Sequence, residues 1–239
     1  MNSESLDQLL ARLRNGNGKV PTVPQPAPVP VLYQPSTDIN CYCPCDFRNL
    51  PVQPGTVQAV ITDIPYVREW LPHVSDFAEW CSRVLVPGGV MATFYGQHHL
   101  DECMVALSQH LQYQWIFISP LTGVNGNYAH PVSSRYQLAL VYTNSKAWKL
   151  RRVTEDVIPS TRRRDRDTTH PHRKNVPQMQ FLVEAFSQEG NLIVDPCAGG
   201  FTTAVACHNT HRRFIGCDKN PDCLRMAKER FGSVTKEVP

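Results

Sequence analysis

The hydrophobic positions of this chain fall into short apolar runs separated by amphipathic stretches, the pattern of a sheet with strands buried on both faces and joined by helices. The runs are Val57–Thr62, Val90–Tyr95, Tyr113–Ser119, Tyr136–Tyr142, Leu192–Val194 and Arg212–Cys217, with an approach strand expected soon after Val31. Between them, Val74–Leu85 sets Phe77, Trp80, Cys81 and Val84 on one helical face, and helices are expected around His99–Leu111 and over Val176–Ser187. Val86-Pro87-Gly88-Gly89 reads as a turn, and Leu121–Ser134, rich in Gly, Asn and Pro, as a loop. Upstream, Leu6, Leu9, Leu10 and Leu13 form a helical stripe that needs a partner surface, on this domain or on another chain. Prolines at 21, 24, 26, 28 and 30 then make an extended linker. The expected organisation is a helix and linker over residues 1–30 and one α/β domain over residues 31–239.

The stretch Asn191–Asn220, NLIVDPCAGGFTTAVACHNTHRRFIGCDKN, organises the rest. Leu192–Val194 is a buried strand stopped by Asp195-Pro196, Gly199 and Gly200 permit a tight turn and close approach of a ligand, and Thr202 and Thr203 stand where a helix can begin. A second strand follows and ends at Asp218. In doubly wound folds ligands bind at such carboxyl ends, and an acid after the second strand grips ribose hydroxyls, so a nucleoside-containing cofactor fits. The glycines do not follow G-x-G-x-x-G, which argues against a nicotinamide or flavin cofactor. The bland alternative is an ordinary strand–helix–strand unit without a ligand.

Charge and cysteine content narrow the setting. The net charge is only +3, but Lys149–Lys174 gathers KLRR, TRRRDR and HPHRK, a basic stretch suited to phosphates. Lys149, Arg151, Arg152, Arg162, Arg163 and Arg164 are its candidate nucleic-acid contacts; Glu155, Asp156, Asp165 and Asp167 dilute it, and a solvated loop is the alternative. The nine cysteines are scattered through expected core elements, as reduced thiols are. Cys41, Cys43 and Cys45 lack the C-x-x-C knuckle of zinc sites, and His98 and His99 have no third ligand nearby, so no metal is expected. With no long apolar run and no secretion signal at the start, a cytoplasmic location is expected.

DPCAGGFTT and FIGCDKNP, together with Asp63-Ile64-Pro65-Tyr66 at the end of an apolar strand, resemble the amino-methyltransferases of nucleic acids. That family's patterns are Asp-Pro-Phe-x-Gly-x-Gly-Thr-Thr, Phe-Ile-Gly-x-Asp/Glu and Asp-Pro-Pro-Tyr. His170-Pro171-His172-Arg173-Lys174 is similar to its His-Pro-x-x-Lys-Pro, Cys45-Asp46 to its Gly-Asp, and Val86–Gly89 to its Pro-Gly-Gly turn. The order, acidic tetrapeptide first, basic insertion at about 146–169 second and glycine loop last, is that of the circularly permuted beta class. This chain departs from the patterns at Cys45, Ile64, Asn175, Cys197 and Phe201.

The resemblance implies a Rossmann-like, mainly parallel seven-stranded methyltransferase sheet with helices on both faces, S-adenosyl-L-methionine as cofactor and DNA as partner. It implies that Asp63 and the carbonyl of Ile64 accept the two hydrogens of an exocyclic amine, with Pro65 shaping the turn and Tyr66 stacking on the extruded base. It places Asp195, Cys197, Ala198, Gly199, Gly200 and Thr202 around the methionine part of the cofactor, and His170 and Lys174 at its carboxylate end. Asp218, with Lys219 and Asn220, would hold the ribose, and Asp46 and Phe47 would flank the adenine. Adenine N6 in DNA is the expected target. Cytosine N4, RNA, and a non-catalytic cofactor-binding subunit of a larger complex are the alternatives, and a homodimer or partner subunit is open.

Overall fold

A computed structural model describes residues 39–126, 132–145, 154–159, 174–231 and 235–236. Among these residues eight strands form one sheet: β1 (Ile39–Tyr42), β2 (Val57–Asp63), β3 (Leu85–Tyr95), β4 (Gln112–Gly126), β5 (Ser133–Thr143), β6 (Leu192–Asp195), β7 (Arg213–Cys217) and the two-residue β8 (Thr235–Lys236). The order is β4-β5-β3-β2-β6-β7-β1-β8, so the expected seven strands are joined by a minimal eighth at the edge. Pairing is parallel except for β5, which runs antiparallel to β3 and β4. From β2 the chain steps outward to β3 on one side, and β6 returns to the other side before β7. The carboxyl ends of β2 and β6 therefore meet at the topological switch point, where open α/β sheets bind ligands.

Five α-helices lie among the described residues: α1 (Val74–Val84), α2 (Leu100–Leu107), α3 (Val176–Phe186), α4 (Thr202–Asn209) and α5 (Asp222–Phe231). The apolar runs sort by alternation into two cores. Ala59, Ile61, Ala92, Phe94, Ala139 and Val141 face α3, α4 and α5, while Val60, Met91, Tyr95, Leu140 and Tyr142 face α1 and α2. This is why the strands read as continuous hydrophobic runs: both pleat faces are covered. Among the described residues no helix is long and apolar enough to cross a membrane.

Three expectations about local structure are corrected. Val86–Gly89 lies inside β3 rather than before it, as an irregularity at which the register jumps from Val57↔Leu85 to Ala59↔Val90. Gly88 takes φ 77°, a left-handed value a glycine accepts freely, and the Asn144 side chain clamps the bend by accepting from Gly88 N (3.1 Å) and donating to Leu85 O (3.0 Å). The expected loop Leu121–Ser134 is partly strand, because β4 runs to Gly126 and β5 starts at Ser133. Antiparallel pairing satisfies the backbone whatever the side chains, so Asn125↔Ser134 and Gly126↔Ser133 are paired where the composition reads as a loop. The helix expected over His99–Leu111 is shorter, beginning after His99, whose own φ is 53°. The helical stripe and proline linker of residues 1–30 and most of the basic stretch lie outside the described residues.

Part of the insertion is described, and it is docked. Ile118 N donates to Asp156 O (2.7 Å) and Ile158 N to Ile118 O (2.8 Å), while Trp115 Nε1 donates to the Asp156 carboxylate (3.1 Å). Ile158 is fully buried in the first core. One acid that dilutes the basic run is thereby used to fasten it to the outer strand.

Candidate functional site

The DIPY tetrapeptide stands where β2 ends. Ile64 sends its side chain into the second core, 1% exposed, so apolar packing fixes the turn in place of a proline ring. Among the described residues no donor reaches the Ile64 carbonyl. Asp63 and Tyr66 stay at the rim. The Tyr66 hydroxyl donates to Asp63 Oδ1, and its ring packs edge-on against Tyr95 at 5.4 Å and lies against the bare Cα of Gly96. Burial, and next the Asp63 carboxylate, push the Tyr66 hydroxyl pKa far up, so it remains a donor at any ordinary pH.

Lys174 closes this group. It stands just before α3, whose N-cap is Asn175 and which carries Pro177 in its first turn. The buried Gln178 side chain donates to Ser119 Oγ at 2.8 Å and ties the helix start to β4. The Lys174 ammonium thereby sits over the strand ends, 2.9 Å from Asp63 Oδ2, 3.0 Å from the Tyr66 hydroxyl and 3.2 Å from Gln137 Oε1. It also lies 4.7 Å from the centre of the Phe94 ring, with 10% of the side chain exposed. The sequence placed Asp63, Tyr66 and Lys174 in two separate motifs; the fold brings them into direct contact. Gln137 and Phe94 were missed, because they sit in ordinary strand runs of β5 and β3 and only the pairing order reveals where they point.

One strand over, Asp195 ends β6 and is 3% exposed. Its carboxylate accepts from Thr62 Oγ1 (2.7 Å), from the Thr203 hydroxyl and from Cys197 N (3.2 Å). Burial raises its pKa to about 7 against the pull of these three donors. Asp195 is thus the internal staple of the glycine loop, joining β2, β6 and α4. Ala198 is buried at 7%, Thr202 at 5%, and Cys197 is half-buried, its thiol pKa raised by burial. Phe201 occupies the position of the family's second glycine and adopts φ 56°, the left-handed region, with its ring fully buried near Phe214. The loop keeps the glycine-type backbone and adds a buried ring.

Asp218 follows β7 and spans the two loops, accepting from Gly199 N (2.7 Å) and Asn220 N (2.8 Å). Its backbone oxygen takes Cys45 N at 2.8 Å, which sets Asp46 beside it. Asp46 caps a short turn by accepting from Arg48 N (2.9 Å) and pairs with Lys219 at 2.6 Å. Burial raises the Asp46 pKa, but the Lys219 and Arg48 contacts outweigh it and leave the group below its ordinary value. Phe47 is buried at 4% against Phe77 and Trp80, beneath this turn. Two acids, a glycine loop and a lysine ammonium therefore line one end of the sheet. His170, Lys149, Arg151, Arg152, Arg162, Arg163 and Arg164 lie outside the described residues. Among the described residues no cluster of His, Cys, Asp and Glu is arranged to hold a metal ion, and Cys41, Cys43 and Cys45 are free and buried.

Comparison with known proteins bears on this site. The Type II methyltransferase M.HhaII of Haemophilus parahaemolyticus is 27% identical over 167 residues, covering 63% of this chain and 69% of its own. Among solved structures, the complex of M1.HpyAVI with S-adenosylmethionine superposes with a TM-score of 0.63 at 20% identity, over 81% of this chain and 99% of its own. The cytosine-N4-specific PvuII DNA methyltransferase superposes with a TM-score of 0.68 at 13% identity, over 84% and 88%. A family model described as DNA methylase, of the N6 and N4 type, matches residues 57–229, from the first residue of β2 into the last turn of α5, and the chain belongs to that family.

Proposed function

We propose that this protein transfers a methyl group from S-adenosyl-L-methionine to the N6 amine of an adenine turned out of the DNA stack. Membership of the N6/N4 DNA methylase family carries the reaction, the cofactor and the DNA substrate. The choice of adenine rests on the aspartate that heads the tetrapeptide, and the observation that supports the methyl-transfer reading most directly is the position of Asp63 and Tyr66 at the switch point. The residues fit the cofactor. The carboxylates of Asp218 and Asp46 suit hydroxyl and amine donors of a nucleoside, and the Lys174 ammonium suits a carboxylate. When bound, the cofactor supplies an electrophilic methyl group on a sulfonium.

The protein's share is positioning. An exocyclic amine is a weak nucleophile because its lone pair is delocalised into the ring. Acceptance of its two hydrogens by the Asp63 carboxylate and the Ile64 carbonyl localises that pair and aims it. The half-buried Tyr66 ring supplies a stacking surface for the base beside Gly96. No side chain needs to act as a strong base, because the extra proton on the methylated nitrogen is acidic enough to leave to water. The basic residues of the insertion serve as phosphate contacts that orient the duplex. A cytoplasmic setting and pairing with a second copy or another subunit through the amino-terminal stripe belong to the same reading.

The test is transfer of labelled methyl from S-adenosyl-L-methionine to unmethylated double-stranded DNA, single-stranded DNA and RNA, followed by nucleoside analysis. N6-methyldeoxyadenosine formed by the wild type and lost with Asp63→Ala is the expected result. N4-methyldeoxycytidine as the sole product would overturn the choice of base, and a product only in RNA would overturn the choice of polymer.

A further inference from the structure

Asp63 already holds two donors. Its Oδ1 takes the Tyr66 hydroxyl, and its Oδ2 faces the Lys174 ammonium at 2.9 Å. That ammonium is enclosed, 4.7 Å from the Phe94 ring centre and 5.5 Å from that of Tyr66, and a second acceptor, Gln137 Oε1, stands 3.2 Å away. An amine seeking the same carboxylate offers the same chemistry, N–H donated to oxygen, in the same space. We propose that Lys174 is an internal stand-in for the target amine: a base enters the site by displacing the ammonium from Asp63, and Gln137 and Tyr66 retain the ammonium when it moves. This inference rests on the methyl-transfer reading above and deepens it.

The consequence is a threshold for base entry. Moving the ammonium from a carboxylate to a neutral amide and a hydroxyl gives up a charge-assisted bond, and the incoming amine must replace it. A base without an N–H donor at this position gains nothing from Asp63 and leaves the ion pair intact. Lys174 is thus a positioning and selecting residue that acts through Asp63. It holds the carboxylate aimed before the base arrives, and it offsets part of the gain that any amine makes.

The experiment measures an amine preference by fluorescence anisotropy on the full chain without S-adenosyl-L-methionine, so that Lys174 is not engaged by the cofactor and no transfer occurs. It is the Kd for a duplex in which the base found to be methylated is replaced by its amine-free analogue, purine for adenine, divided by the Kd for the unaltered duplex. Lys174→Met should raise this ratio about tenfold, the scale of one hydrogen bond to a charged group. The rise should vanish in an Asp63→Asn background. Lys174→Arg, which keeps a cation, should leave the ratio within about twofold of wild type. Gln137→Leu removes the second seat and should lower the ratio, which keeps the inference open to refutation if Lys174→Met does not fold. A ratio unchanged or lowered by Lys174→Met, or raised equally with Asp63→Asn, overturns it. Absence of methyl transfer from the wild type to any DNA overturns the underlying reading instead, and the two failures are separately visible.

Discussion

Asp63 and Asp195 end neighbouring parallel strands at the same switch point, yet their surroundings assign them opposite work. Asp63, with 25% of its side chain exposed, is held by two side chains that have alternatives, a tyrosine hydroxyl and a lysine ammonium. Asp195, 3% exposed, is held by two threonines and a backbone N–H that belong to β2, α4 and the glycine loop. A strand-end carboxylate with exchangeable donors can hand one of its bonds to a ligand. One whose donors are structural cannot do so without loosening the fold. Strand ends alone therefore do not identify a reacting group; the donors around it do.

Three measurements press on that contrast. The largest effect is expected from Asp63→Ala, which should lower methyl transfer by about 100-fold or more by removing the proposed acceptor of the amine. Its affinity for S-adenosyl-L-methionine, read by calorimetry, should stay within a few fold. Asp195→Asn should stay folded and lose far less transfer; a loss equal to that of Asp63→Ala, with the fold intact, would erase the distinction. Next in size is Phe201→Gly. Removing a buried ring costs about 3–5 kcal/mol, and relief of the left-handed backbone returns roughly 1–2 kcal/mol, so denaturant unfolding should show a net loss of about 2 kcal/mol.

The third concerns pH. The Asp195 carboxyl is raised to about 7 in the folded protein, against about 3.9 for an unfolded aspartate. The folded state therefore binds more protons than the unfolded chain between these values, and stability falls as pH rises from about 4 to 7. Asp195→Asn removes that contribution. Comparing urea midpoints at pH 5 and pH 7.5, the wild type should lose more stability than the variant, by on the order of 1–3 kcal/mol. A slope unchanged by the substitution would show that the three donors fully offset burial.

The strand runs and the two acidic ends were readable in the chain because burial on both faces writes a contiguous hydrophobic signature, and because Asp-Pro and Asp-Ile-Pro-Tyr stop it abruptly. What stayed hidden depends on which strands become neighbours. Nothing near Gln137 announces that β5 brings it to Lys174, and nothing near Thr62 announces that it donates to Asp195. Length was misread where backbone pairing overrides composition, in the hairpin of β4 and β5 and at Pro87-Gly88-Gly89. The departures at Ile64 and Phe201, visible as mismatches, acquired meaning only with burial: each exchanges a residue chosen for its backbone for one that packs.

Ile64→Pro measures that exchange, and its effect should be the smallest. Proline would restore a fixed φ to the turn that carries the carbonyl proposed to accept the amine, but it would empty part of a pocket in the second core where the isoleucine side chain is 1% exposed. The carbonyl itself is common to both residues. Stability should fall by about 1–2 kcal/mol from lost packing, while the rate of transfer per folded molecule should change by no more than about threefold. Were transfer to rise by tenfold or more, the buried side chain would be a poor substitute for the ring, and the reacting end of β2 would have to be counted among the loosely held parts of the molecule, with Asp195 the rigid one.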